Sequence, residues 1–288
     1  MNVAVLGDVM LDVVVVPEGP VSATSDTPSR VRVGRGGSGA NLAIAIARVG
    51  HRVTYLGAVG RDGAGALWRE HLAGTGVASQ LDEVDAPTGV VVALVGADGQ
   101  RSMYTDRGAN SWLSRSFVES ALVDYSHLHV SGYSLLDPAT REVAVAALAA
   151  ARSRGASTSV DVCSVGPLRA VGPALFASLV AGVDFLFANE EEASVLGGAG
   201  IEHALASLGG LAREVLVTRG ARGAVVVCDG ATASAPSLAR DVIDTTGAGD
   251  AATGTYLGAR LAGEGVEIAL VNAMTAAAVV VGGLGAAS

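Results

Sequence analysis

Aromatic residues make up only 4% of this 288-residue chain, and its cysteines number two, Cys163 and Cys228. The two lie far apart without metal-ligand spacing, which excludes a cysteine-bound metal and reads as buried thiols of a reducing cytoplasm. No run of Lys or Arg occurs and the formal net charge is -9. Nucleic acid and anionic membrane are therefore poor partners. Neither internal repeats nor low-complexity linkers interrupt the chain. No basic segment precedes an apolar stretch at the N-terminus, so no secretion signal is expected and a cytoplasmic location is. Residues 268–288 carry no charge and meet the length of about 20 residues for a membrane span. They are rich in Ala and Gly, include Asn272 and Thr275, and lack flanking basic anchors. A buried C-terminal helix is expected instead.

What is abundant is small and apolar: 39 Gly, and half of all residues hydrophobic. The length suits one large α/β domain or two small ones. Residues 3–6 form an apolar run ended by Gly7-Asp8, the pattern of a buried parallel strand and its C-terminal turn. Residues 13–16 and 30–33 are short and β-rich. Residues 90–95 and 101–105 flank Ala97-Asp98-Gly99-Gln100, a hairpin signal. Together these predict a small accessory sheet. From Ser114 onward, strands near Leu128, Ser159, Phe185, Val215 and Val225 alternate with helices, which favours a doubly wound, mostly parallel sheet. No second domain boundary is evident. The expectation is a single α/β domain over 1–288 with a discontinuous lid from about 12–34 and 88–106.

The chemistry concentrates in glycine-rich turns. Asp244-Thr245-Thr246-Gly247-Ala248-Gly249-Asp250 precedes a small-residue helix running to about Ala262. Such a turn presents free backbone N–H groups at the positive end of a helix dipole, an anion pocket. Asp250, in the first turn, is placed to take a proton from a hydroxyl while the N–H groups of Gly247, Ala248, Gly249 and Asp250 hold a phosphate. The competing reading is a helix cap and a tight turn. Gly36-Gly37-Ser38-Gly39-Ala40-Asn41 also opens a helix, but it is no Walker-type loop and no dinucleotide fingerprint. Asp8 and Asp12 bracket the end of the first strand, where open α/β sheets bind ligands; a turn-capping role is the alternative for each. Arg107 follows the hairpin and either meets a substrate anion or lies at an exposed hinge. Asn189 and Glu192 stand on one face of a helix's first turn, suiting either a hydrated magnesium ion or a capping box. Thr218-Arg219-Gly220-Ala221-Arg222-Gly223 joins two β patterns as a Gly-requiring turn. His127 and His129 share one strand face and read as structural.

These motifs, in this order, resemble the signatures of the ribokinase-like (PfkB) carbohydrate kinase family. The likeness runs from Asp12 to the region of Gly285. It implies a three-layer α/β/α fold with a small β lid. It further implies an enzyme that moves a phosphoryl group from ATP to a hydroxyl, primary in the expected case, of a sugar-like small molecule. Asp250 becomes the catalytic base, and Gly247-Ala248-Gly249 the anion hole. Asp12, Gly36, Gly37 and Asn41 become contacts to substrate hydroxyls, with Arg107 among the substrate-binding groups. Asn189 and Glu192 are implied to act near magnesium and phosphate, Glu192 through water. Thr218, Gly220, Gly223 and the segment around Asn272 and Gly285 are implied to line the ATP site. A potassium site through Asp244 and the carbonyl of Thr246 is expected, as is a homodimer through the lid. Ribokinases carry Lys where this chain has Ser38, which loosens the case for ribose. Two alternatives stand: a nucleoside kinase, whose aromatic candidates are Tyr104, Trp112 and Tyr133, and a sugar-binding relative without catalysis.

Overall fold

The computed structural model describes residues 1–96, 101–240, 242 and 244–282. The turn Ala97-Asp98-Gly99-Gln100 and Gly285 lie outside the described residues. In chain order the strands are β1 (Asn2–Leu6), β2 (Met10–Pro17), β3 (Ser29–Gly36), β4 (Arg52–Gly60), β5 (Ala78–Val84), β6 (Gly89–Val95), β7 (Arg101–Asp106), β8 (His127–Ser131), β9 (Ser157–Asp161), β10 (Val183–Asn189), β11 (Ala212–Thr218), β12 (Ala224–Cys228) and β13 (Ala231–Ala235). Nine of them form one sheet in the order β13-β12-β11-β10-β9-β8-β1-β4-β5. Its strands are parallel except where β12 pairs antiparallel with β11 and β13.

The apolar run of β1 is buried on both faces because it lies in the middle of this sheet. Ala4 and Leu6 enter the core on one side and Val3 and Val5 the core on the other. From β1 the chain builds outward to β4 and β5, then crosses back to begin the other half at β8. The strand order therefore reverses between β1 and β8. In open α/β sheets the ligand crevice lies at such a reversal, beyond the carboxyl ends of the strands.

Two helices carry the functional turns, Ser38–Arg48 and Ala248–Leu261. They pack side by side in the same direction. A Cβ on Gly254 would fall 2.6 Å from the Cβ of Ala45 and 2.7 Å from the carbonyl of Leu42, so this crossing admits no side chain. The close approach brings both N-termini to the same end of the sheet.

The remaining strands form the small sheet β3-β2-β6-β7, with β2 and β6 parallel and the outer pairs antiparallel. Asn110 fastens its root, accepting from Val9 N at 2.8 Å and donating Nδ2 to Val9 O at 2.8 Å. Two edge strands, β5 and β13, were not expected from the pattern. The C-terminal helix Val266–Val281 packs Ala269, Leu270, Ala273 and Met274 into the core. Among the described residues no helix is long and apolar enough to cross a membrane.

Candidate active site

The turn at 244–250 is built as the glycines require. Gly247 has φ 76°, in the left-handed region, and caps helix Ala248–Leu261. The N–H of Ala248 turns back to Thr245 O at 3.3 Å, while those of Gly249 and Asp250 fall in the first turn, where no carbonyl precedes them along the helix. Asp250 is oriented from outside its own helix. Ser38 Oγ donates to its Oδ1 at 2.7 Å and Asn41 Nδ2 to its Oδ2 at 2.8 Å. Burial pushes the Asp250 carboxyl up to about 6, against the pull of those two bonds. A carboxyl so raised is a stronger proton acceptor than an ordinary carboxylate and is still largely ionised at neutral pH, as a general base requires.

Asp12 reaches the same crevice from the lid. Its carboxylate lies against Gly36, where a Cβ would fall 1.9 Å from Oδ1. Gly36 is therefore required for room. Gly37, at φ 106°, is required for backbone conformation as well as room, since a Cβ there would meet Asp8 O at 2.2 Å. Burial and the facing charge of Asp250 push Asp12 up to about 6. Two carboxyls with raised values thus lie near enough to interact, beside the N-termini of helices Ser38–Arg48 and Ala248–Leu261.

Arg107 is not at an exposed hinge but is clamped between two carboxylates. Its Nε donates to Asp8 Oδ2 at 2.9 Å, Nη2 to Asp8 Oδ1 at 2.5 Å, and Nη1 to Asp137 Oδ2. Asp8, far from capping its turn, is buried within this clamp.

On the other side of the crevice, Asn189 and Glu192 close a reciprocal capping box. Asn189 N and Nδ2 donate to the Glu192 carboxylate at 2.9 and 2.7 Å, and Glu192 N donates to Asn189 Oδ1 at 2.9 Å. Burial nevertheless pushes Glu192 up to about 7, with Glu191 and Asp250 adding to the rise. Thr218 pairs with Asn189 in register, so the ends of β10 and β11 lie together. The turn Gly220–Arg222 follows, tied to helix Glu190–Gly197 by the Arg222–Glu190 ion pair. Asp244 accepts from Thr246 N at 2.9 Å and from Thr246 Oγ1 at 2.7 Å.

Asn272 lies in the C-terminal helix. Asn272 donates to Glu264 at 2.9 Å, near the start of its helix, whereas the far end of that helix meets Asp244 through Val281 O. Nine residues separate Asn272 from Val281, roughly 13 Å along a helix axis. Two residues of the crevice were given no site role from the sequence. Ser38 holds Asp250, and Asp161, at the end of β9, is raised by burial and by Glu192 and Asp250. Asp161 ends a strand of sequence Ser-Thr-Ser-Val-Asp, whose hydroxyl residues hide the buried-strand signal that marked Asp8.

Among the described residues, no group of three or more His, Cys, Asp or Glu is arranged to hold a metal ion. The donor set fits a magnesium ion that arrives with nucleotide phosphates and keeps part of its water shell, which is how magnesium is usually held.

A carboxyl with a raised value at a helix N-terminus, set beneath a β lid at the switch point of a parallel sheet, is a setting suited to a small-molecule phosphotransferase. The chain belongs to the pfkB family of carbohydrate kinases, whose family model matches residues 1–288. It is 30% identical to the 2-dehydro-3-deoxygluconokinase of Thermoproteus tenax, covering 98% of this chain and 89% of that protein. The adenosine kinase of Sinorhizobium meliloti superposes with a TM-score of 0.89 at 25% identity, over 100% of this chain and 95% of that one. A putative Ribokinase II from E. coli, in complex with ATP and Mg2+, shares the fold with a TM-score of 0.83 at 24% identity, over 99% and 94% of the two chains. The enzyme class follows: an ATP-dependent kinase of sugars or nucleosides.

Proposed function

We propose that the protein phosphorylates a primary hydroxyl of a sugar-like small molecule, with Asp250 as general base. The observation that carries this reading is the Asp250 carboxylate, raised to about 6, aimed by Ser38 and Asn41 and facing Asp12. Asp12, Gly36, Gly37 and Asn41 bind the acceptor hydroxyls. The acceptor oxygen loses its proton to Asp250 as it attacks the terminal phosphorus of ATP, and ADP departs. The first-turn amides of Gly247, Ala248, Gly249 and Asp250 stabilise charge on the phosphoryl oxygens. Asn189, Thr218, Gly220 and Gly223 line the nucleotide side, and Glu192 acts on magnesium through water. Magnesium, when bound, neutralises phosphate charge that develops during transfer. Lid closure excludes water that would otherwise hydrolyse ATP.

The names of the relatives span a gluconate derivative and a nucleoside, so a nucleoside acceptor stands as the second reading. In its favour is Tyr133, which is partly buried beside Cys163, Asp8 and Glu192. Tyr104 gives it less support: β-sheet alternation puts it on the lid face opposite Asp12, and it is 61% exposed. An ADP-release assay with ATP and magnesium across sugars and nucleosides tests the reading. A substrate-dependent signal that disappears in Asp250→Asn supports it; no signal with any acceptor removes it.

Two further expectations belong to this proposal. Asp244 and the Thr246 carbonyl bind potassium, and unchanged activity on replacing potassium with a non-binding organic cation would refute that. The chain pairs with a second copy through the outer lid face, where Val13, Val15, Val31, Val33, Val92 and Leu94 align by register and Val33 is 64% exposed. A monomeric mass by light scattering would exclude it.

A further inference from the structure

Asp12 feels the charge of Asp250, so the lid face that carries Asp12 is the one turned to the crevice. Side chains alternate along a strand, and residues paired across a sheet share a face. The row through Asp12 is Gly34, Asp12, Val91 and Thr105, and the next row out is Arg32, Val14, Ala93 and Met103. Arg30 follows on the same face, beside Val16. Of these residues only Asp12 is acidic and only Arg30 and Arg32 are basic.

Both arginines are exposed, and neither has a hydrogen bond or an ion pair with another described residue. Arg107, by contrast, is bonded to both oxygens of Asp8 and to Asp137. Arg32 stands two residues from Gly34, the partner of Asp12, a step of about 7 Å along a strand. Its long side chain therefore spans the ground between Asp12 and the far end of a small acceptor. A guanidinium keeps its charge at every working pH, and its fork of donors matches two oxygens of a carboxylate or a phosphate.

We infer that the acceptor carries a carboxylate or a phosphate at the end away from its reacting hydroxyl, and that Arg32 selects for that group. This substrate class rests on the kinase reading above. An anion entering beside Asp12 and Asp250 meets like charge, and Arg32 supplies the opposite charge on the same lid face. Arg30, one pleat further out, extends the positive field toward the mouth. A neutral sugar or a nucleoside gains nothing from either residue, whereas a sugar acid or a sugar phosphate does.

The test uses matched acceptors that differ in charge: aldoses, their aldonates and their 1-phosphates, with ADP release followed at saturating ATP and magnesium. One anionic member should lead its neutral partner by roughly tenfold or more in kcat/KM, the scale of one charge-assisted contact. An aldonate in the lead assigns the carboxylate, and a 1-phosphate in the lead assigns the phosphate. Neutral aldoses that equal or outrun both overturn the inference and leave the kinase standing. Turnover of no acceptor overturns the kinase reading and this inference with it. Arg32→Gln should lower the anionic-to-neutral ratio by about tenfold, through KM of the anionic member. Arg32→Lys, which keeps the charge without the fork, should fall between. Arg35→Gln removes the same charge from the opposite lid face, in the row of Leu11, and should leave the ratio where it was. A ratio unmoved by Arg32→Gln, or moved equally by Arg35→Gln, refutes the role given to Arg32.

Discussion

Helix Ala248–Leu261 meets a carboxylate at each end, one buried and one partly buried, and the two are handled in opposite ways. Near its last turns lies Glu214, in the middle of β11. Tyr256 Oη donates to it at 2.6 Å, Arg260 Nε and Nη2 at 2.8 Å each, and Cys228 Sγ at 3.2 Å. Against burial, Arg260, Tyr256 and Cys228 hold Glu214 below its ordinary value. At the first turn lies Asp250, with two neutral donors, no cation and a carboxyl raised to about 6. A charge that is fully partnered fastens a helix to a sheet. A charge left short of partners marks a candidate functional group, and in the proposed mechanism its missing partner is the hydroxyl proton of a substrate.

Substitution should separate the two ends. Asp250→Asn is expected to lower kcat by roughly 10²–10⁴, the contribution of a general base, with the fold retained. Thermal melting beside the assay checks both halves; near wild-type turnover would remove Asp250 from the chemistry. Glu214→Gln should do the reverse. It leaves Arg260 partly buried without its counter-charge, at about 3 kcal/mol of stability. The shift in urea midpoint measures this, and kcat of the folded enzyme should stay within about twofold. A large kcat loss at full stability would show that the anchor also positions Asp250.

The two ends also differ in their dependence on pH, and the signs follow from the direction of each shift. Asp250 and Asp12 have raised values, so their ionisation opposes folding. Stability is highest below the unfolded value near 3.8 and declines as pH rises through about 6. Glu214 has a lowered value, so its contribution is present above the unfolded value and is lost as pH falls through the folded one. Melting temperatures of Asp250→Asn and wild type should therefore converge near pH 4, with the variant the more stable at pH 7.5. A difference independent of pH would mean that Asp250 is not held in a desolvated state.

Much of the fold was legible because its signals are local. The apolar run of residues 3–6, the alternation of strands and helices after Ser114 and the glycine turns each rest on neighbours in sequence. The edge strands β5 and β13 escaped notice because Ala-Ser-Gln-Leu-Asp-Glu-Val and Ala-Thr-Ala-Ser-Ala are largely polar or small, as edges often are. The site was legible as parts and not as an assembly. Asp250 was found by its turn, but Ser38 and Asn41 reach it from 212 and 209 residues away. Arg107 looked available because Asp8 and Asp137 are 99 and 30 residues distant. Asn272 was marked for the nucleotide side by the resemblance alone, and its bond to Glu264, outside the helix, had no signal in the sequence. Glu214 drew no attention at all, since its partner Arg260 lies 46 residues on.

The smallest effect concerns the coupling between the two crevice carboxyls. Asp250 raises Asp12, and a pairwise electrostatic interaction acts equally on both members, so Asp12 must also disfavour the ionised form of Asp250. Asp12→Asn keeps the shape against Gly36 while removing that charge. The variant should bind its acceptor about tenfold more weakly, for the loss of one charge-assisted hydrogen bond. Its Asp250 should become a stronger acid, so the acid limb of kcat against pH should move downward by less than about one unit. A weaker KM with an unmoved acid limb would mean that Asp12 touches substrate without sensing Asp250. An acid limb that moves upward would contradict the facing arrangement itself, because removing a like charge can only favour ionisation of the base.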